Sequence, residues 1–341
     1  MRVATYNIEW FDHFFTDDNH LHPDDHELGS GRDATTVRER LAHLRTVLGA
    51  LDADLIGIVE APNTLKSGNK STTACLERFA QVIGLRASKA AMGYISPGSQ
   101  ELAVLYDPNA VTVQHDPGGS NRVPAFDQPF EIDSDEDGIR EIHQHYRPPF
   151  ELKVTRSADG LTFHLMLVHL KSKGIFDSVD WVHWQRISER NRRKLFAQCL
   201  SVRGRVEEWQ DADRGIVVMG DINDGPGMDM TEAQFNRSAV ELLMGDIFEP
   251  DRLLVTHSGR PEWGRYGWEP ASSNFTDQFT HQRVNVLIDH ILVSRSLAVG
   301  GPAAHRVWNP YSDDGARGES EAVRTALKRA SDHFPVTLDL A

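Results

Sequence analysis

Cysteine is almost missing from this chain of 341 residues: only Cys75 and Cys199 occur. Both fall in helix-like stretches and read as two buried free thiols rather than a disulfide or a thiolate metal site. Long apolar runs are missing too, and none approaches the roughly 20 residues that a membrane-spanning helix needs. The opening stretch, MRVATYNIEW, has no charged-then-apolar leader pattern and goes straight into strand-like alternation, which predicts a cytoplasmic chain. Positive charge is in short supply, with 36 Lys and Arg against 50 Asp and Glu and a net charge of −14. The deficit is local. Residues 12–33 carry seven acids and one base, residues 127–141 do the same, and together they account for −12 of the charge. Such a balance disfavours loose, charge-driven binding to a nucleic-acid duplex. There is no internal repeat and no low-complexity linker, so one domain over 1–341 is the better count, with acidic inserts near 12–33 and 127–145.

What is present is an ordinary globular composition, 40% apolar and 25% charged. Apolar runs predict strands over 3–8, 55–59, 102–106, 150–154, 163–168, 216–219, 286–293 and 334–340. Val37, Leu41, Leu44, Leu48 and Leu51 recur at three or four and predict a helix, with Thr36 and Glu39 as its capping box. Further helices are predicted over about 73–83 and 184–209 from the same periodicity. Strands often follow strands directly, which favours two packed sheets flanked by helices over a doubly wound parallel sheet.

One polar pattern recurs at the ends of these strands. VVMGDINDGPG runs from a buried strand into Asp221, Asn223 and Asp224. Asn7 and Glu9, Glu60, His169, Asp289 with His290, and Asp332 with His333 end or begin others in the same way. A single acid at a strand end is usually solvated. Several carboxylates brought within ~4 Å would repel by roughly 4 kcal/mol per pair at a protein-like dielectric, a penalty that a divalent cation removes. Oxygen donors without cysteine point to a hard ion, Mg²⁺ or Mn²⁺.

TYNIEWF, GIVEA, YRPPFEL, VHLKSK, VMGDIND, IDHILVS and SDHFPV stand in the order found in the endonuclease/exonuclease/phosphatase superfamily, which this sequence resembles over residues 3–340. The superfamily holds DNase I-like nucleases, abasic-site endonucleases, inositol phosphatases and sphingomyelinases. The resemblance implies a four-layered α/β/β/α sandwich, DNase I-like, and metal-dependent hydrolysis of phosphoesters. It implies Glu60 as principal metal ligand, with Asn7, Glu9 and Asp332 helping to bind metal or metal-bound water. Asp221 and Asn223 would position or deprotonate the attacking water. His333, oriented by Asp289, and His169 would face the phosphate, as would Arg147 and, more weakly, Lys171. His290 falls on the opposite face by strand alternation and reads as structural or supporting. A phosphodiesterase or nuclease leads. A phosphomonoesterase, a lipid or inositol phosphoesterase, and a non-catalytic phosphate-binding descendant are the alternatives. The expected partner is a phosphoester substrate.

Three segments fall outside that pattern. Asp133, Asp135 and Asp137, then Gly138, with Glu141 at the ninth position, match the front of a Ca²⁺ loop. Gln144 stands at the twelfth position, so a solvated acidic hairpin tip is the leading reading. His13, His20, His22 and His26 sit in a stretch that reads as a mobile polar loop rather than a transition-metal site. Arg186, Arg190, Arg192, Arg193 and Lys194 read as a solvated helix face, and Trp181 and Trp184 as anchors of that helix.

Overall fold

The structure, a computed structural model, describes residues 1–29, 35–65, 68–134, 137–175, 180–225, 237–256, 271–276, 281–298, 304–312 and 318–341. Residues 30–33 of the first acidic insert and Asp135 of the second lie outside them. In chain order the strands are β1 (Arg2–Asn7), β2 (Glu27–Leu28), β3 (Thr35–Thr36), β4 (Leu55–Ala61), β5 (Lys89–Met92), β6 (Glu101–Tyr106), β7 (Val111–His115), β8 (Phe130–Ile132), β9 (Glu141–His143), β10 (Phe150–Arg156), β11 (Thr162–His169), β12 (Ile216–Asp221), β13 (Leu254–Val255), β14 (Ser273–Thr276), β15 (Arg283–Val286), β16 (Asp289–Ser294), β17 (His305–Val307) and β18 (Val336–Asp339). The α-helices are α1 (Val37–Leu51), α2 (Thr72–Ile83), α3 (Trp181–Asp211), α4 (Ala239–Met244) and α5 (Glu321–Ala330).

Two six-stranded sheets carry the fold, in the orders β17-β18-β1-β4-β6-β5 and β13-β16-β12-β11-β10-β7. Each has one parallel pair, β1 with β4 and β11 with β12, among antiparallel neighbours. The sequence explains why the sheets are buried on both faces. In β12, Val217 and Met219 enter the core between the sheets, while Ile216 and Val218 enter the core under α3 and α4. In β1, Val3 faces the other sheet, and Ala4 and Tyr6 pack with residues of α1, α2 and α5. A near-continuous apolar run is what such a strand requires, since alternate side chains fill two different cores. The result is a four-layered α/β/β/α sandwich, as expected.

The sheets approach closely at Gly57. A Cβ there would stand 2.6 Å from Leu167 Cδ1 and 2.7 Å from Met219 Cε. The capping box at α1 forms as the sequence predicts, with Thr36 Oγ1 accepting from Glu39 N and Glu39 accepting from Thr36 N. Cys75 and Cys199 are buried and free. Among the described residues no helix is long and apolar enough to cross a membrane.

Three expectations change. The run 286–293 is not one strand: β15 ends at Val286 and β16 starts at Asp289, because the N–H groups of Ile288 and Asp289 donate to Ser272 Oγ at 3.0 and 2.8 Å. The stretch after β1 is not a loose polar loop in its described part. Phe11, Phe14 and Phe15 are buried, and Lys70 pairs with Asp12 at 2.8 Å and donates to Phe15 O at 3.2 Å. Nor does Trp181 anchor α3: it is 72% exposed and stacks on Trp184 with ring centroids 5.1 Å apart.

Candidate active site

Strand register assembles the site. His169 pairs with Asp221 across β11 and β12, and Asp221 pairs with Asp289 across β12 and β16, so three polar residues stand in one row at one edge of the second sheet. The first sheet faces them with Asn7 at the end of β1 and His333 just before β18. Asn7 Nδ2 lies 3.2 Å from Asp221 Oδ2 and 3.4 Å from His333 Nε2, bridging the two sheets. His333 Nδ1 is 2.7 Å from Asp289 Oδ2, and His169 Nε2 is 3.6 Å from Asp221 Oδ2. All five residues are buried. Residues as distant as Asn7 and His333 thus meet in one cluster, as the recurring strand-end pattern predicts.

Local backbone is bent to present these groups. Gly220 has φ +135°, and a Cβ there would stand 2.0 Å from Val168 O, so only glycine lets the chain turn from β12 toward Asp221. Asn223 has φ 58°, Glu60 has φ 59° and Trp10 has φ 50°. Asparagine tolerates this region; for glutamate and tryptophan it costs of order 1–3 kcal/mol each, strain that concentrates at functional sites. Glu60 falls where the β4–β6 register shifts, between Ile58 and Ala61. Its Oε2 accepts from Trp10 N at 2.9 Å. Asn223 N donates to Asp221 Oδ1 at 2.9 Å, and Asn223 Nδ2 donates to Leu170 O at 3.0 Å.

Burial and neighbours set the protonation states. Burial, and then the nearby Asp289 carboxylate, raise the Asp221 pKa to about 7, against the opposing pull of His333 and Arg147. Burial opposes charge on His333, but the contact with Asp289, helped by Asp332 and Asp221, holds its pKa well above 6.5. His169 goes the other way, well below 6.5, because it is buried and stands near Arg147, His333 and Lys171. One imidazole is therefore built to be charged and the other neutral.

Among the described residues, Asp221, Asp289 and His333 are the one group of three whose ligand atoms lie within 4.8 Å of one another. Two buried oxygens here, Asn7 Oδ1 and Asp289 Oδ1, have no hydrogen-bond partner among the described residues. Buried acceptors left in this way, among carboxylates, fit a hard divalent cation. The other predicted metal ligands lie around this cluster rather than in it. Asp332 Oδ1 is 3.9 Å from His333 Nε2, Glu9 Oε2 is 3.7 Å from Arg40 Nη2, and Glu60 and Asp221 both act on the charge of Arg147. Arg147 is held by Gln100 Oε1 at 2.5 Å and Leu170 O at 3.3 Å. Lys171 Nζ donates to Ser172 O at 2.8 Å.

His290 follows Asp289 in β16 and so stands on the other face of the strand, with its Nε2 2.9 Å from Asp224 O. The acidic insert is a hairpin of β8 and β9. Asp133 Oδ2 accepts from Gly138 N, Asp137 Oδ1 accepts from Ile139 N, and Glu141 Oε2 stands 3.8 Å from His143 Nε2. Among the described residues these acids do not gather within ligand distance of one another.

Sequence reasoning missed Ser272, which donates from Oγ to Asp289 Oδ2 at 2.8 Å while accepting two backbone N–H groups. It also missed Gln100, which aims Arg147, and Arg40, whose Nη2 donates to Glu9 O at 2.6 Å. Ser272 stands in a short polar stretch with no periodicity to mark it. Arg40 was findable as a charged residue on the apolar face of α1, where it is buried.

Two mixed sheets packed under helices, with this cluster at one edge, define the DNase I-like class of α/β sandwich. A model of the Endonuclease/Exonuclease/phosphatase family matches residues 4–333, and the chain belongs to that family. Its members are generally metal-dependent phosphoester hydrolases. Among solved structures, the chain is similar to the human Nocturnin catalytic domain with bound sulfate, at 13% identity and TM-score 0.47, covering 100% of this chain and 94% of that one. It is similar to D. rerio TDP2 in complex with a single-strand DNA product, at 15% identity and TM-score 0.46, covering 99% and 97%. It is similar to a Bacteroides thetaiotaomicron mannosyl-6-phosphatase, at 13% identity and TM-score 0.45, covering 100% and 99%. All three scores are under 0.5, and the family assignment rests on the sequence match. No curated protein matches the chain.

Proposed function

We propose that the chain is a divalent-metal phosphodiesterase in which Asp221 activates water and two unlike imidazoles bind the phosphate. One observation carries this reading: Asp221 Oδ2 stands within 3.2 Å of Asn7 Nδ2 and 3.6 Å of His169 Nε2, beside a His333–Asp289 contact of 2.7 Å. A base, an amide and two imidazoles are then within reach of a single phosphorus.

Asp221 and Asn223 hold the attacking water, and a carboxyl with a pKa near 7 takes its proton at neutral pH. His333, charged through Asp289, donates from Nε2 to a nonbridging oxygen, where negative charge builds in the transition state. Neutral His169 and the guanidinium of Arg147 bind the remaining oxygens. Glu60 and Asn7 would hold Mg²⁺ or Mn²⁺, with Glu9 and Asp332 placed for its waters; the ion would stabilise charge on the phosphoryl and leaving oxygens.

A hydrolysis panel tests the reading: a generic aryl phosphodiester, an aryl phosphomonoester, single- and double-stranded DNA, RNA and a phospholipid headgroup ester, each with Mg²⁺, Mn²⁺ and Ca²⁺. Metal-dependent release from a diester is the expected result. Release from the monoester alone would replace diesterase with monoesterase, and no release with any metal would leave a phosphate-binding protein.

A further inference from the structure

Cations collect on one flank of this site, and among the described residues their hydrogen-bond acceptors are neutral. Arg147 donates to Gln100 Oε1 and Leu170 O, which are neutral, and among the described residues Lys171 Nζ donates only to the backbone oxygen of Ser172. Lys171 is also fixed to α3, since its N–H donates to Gln198 Oε1 at 2.8 Å. Lys194 and Arg190 lie four and eight residues before Gln198, on the same face of α3, and both are exposed. Among the described residues neither has a hydrogen-bond or ion-pair partner. Like charges at a spacing of four destabilise a helix by about 0.2–0.5 kcal/mol per pair. Here they persist in a chain with 50 acids and 36 bases. The hydrogen bond to Gln198 ties Lys171 to the face of α3 that carries Lys194 one turn earlier, and burial and then Arg147, Lys194 and Arg190 lower the pKa of Lys171 to about 8.

We propose that Lys171, Arg190 and Lys194 form a subsite for a second phosphate of the substrate, next to the phosphoester that Arg147, His169 and His333 face. This rests on the phosphoesterase reading and narrows it. The substrate carries another phosphate a few bonds from the scissile one, as in a nucleic-acid strand or a multiply phosphorylated small molecule, and that phosphate lies toward α3.

Binding without turnover tests the subsite. Fluorescence anisotropy follows a labelled ten-nucleotide oligothymidine on the metal-free protein, and its displacement by myo-inositol hexakisphosphate. The variants are the double substitution R190A/K194A and, as control, K153A on β10 at an exposed position far from Lys171. The double variant should bind at least one probe tenfold more weakly. For the strand, the slope of log K against log salt should flatten by about 1.4, at ~0.7 per lost cation. Lys153→Ala should stay within twofold. A loss confined to the strand assigns the second phosphate to nucleic acid, and a loss confined to the competitor assigns it to a multiply phosphorylated small molecule. Equal affinities of wild type and double variant for both probes would overturn the subsite, as would an equal loss in K153A. The aryl phosphodiester, with one phosphate, separates the two readings. Hydrolysis by wild type without a binding difference overturns the subsite alone; a binding difference without hydrolysis under any metal leaves the subsite and removes the phosphodiesterase.

Discussion

The two sheets bring opposite chemistry to the same edge. The first contributes carboxylates that already have cations: Glu9 beside Arg40, and Asp12 paired with Lys70. The second contributes Arg147, just before β10, and Lys171, just after β11, whose described hydrogen-bond acceptors are neutral. Between them lies the buried cluster of Asn7, His169, Asp221, Asp289 and His333. The difference teaches that net charge is a poor guide to this site. A chain of −14 still builds a positive flank, because its acid excess is confined to two inserts. Sheet topology then decides where each sign stands along the edge.

His333→Ala and Asp221→Asn should each cut turnover on a phosphodiester at least a hundredfold with the fold kept, on the order of 10²–10⁴ for loss of a general acid or base. Near-normal rates with correctly folded variants would remove both residues from the chemistry. The contact between the halves is the next target. Gly57→Leu places atoms where Leu167 and Met219 already pack, and overpacking of this kind costs about 1–3 kcal/mol. The urea midpoint should fall accordingly, and an unchanged midpoint would mean that the sheets are not close there. Ser272→Ala should lower kcat roughly tenfold, since a buried hydrogen bond to a charged group contributes about 1.5–3 kcal/mol and Asp289 would lose one. Because Ser272 acts through Asp289, the alkaline limb of the pH–rate profile should move as well. A fall in kcat with no movement would make the serine merely structural.

The smallest effect concerns stability. The Asp221 pKa rises from 3.8 to about 7 on folding, so between those values the native protein keeps a proton that the unfolded chain has released. Stability therefore falls as pH rises through that window. Without metal, Asp221→Asn should melt higher than wild type at pH 8, and the difference should vanish near pH 4. A constant difference across the range would show that Asp221 is not strained by its burial.

Much of this edge was legible in the sequence because the same grammar marks each strand end: an apolar run, then one polar residue of a metal- or phosphate-binding type. Asn7, His169 and Asp221 follow that grammar, and the strands carrying them stand within one or two residues of the expected bounds. Asp289 is marked by its place in an apolar run, but nothing local marks the break before it. That break depends on Ser272, a side chain from another strand region, and no local pattern reports a hydrogen bond across such a distance. β5 and β7 were missed for a different reason. They are short edge strands whose partly exposed residues dilute the apolar signal. The exposure of Trp181 escaped notice because periodicity places a residue on a helix face without saying whether anything covers it.

On the proposed reading, both sheet edges serve one cation and one phosphoester. Anomalous diffraction from crystals soaked in Mn²⁺ tests it most directly. The strongest peak is expected in the cleft bounded by Asn7, Glu60 and Asp221. A peak only at the 133–141 hairpin, or on the histidines of the first acidic insert, with that cleft empty, would contradict it.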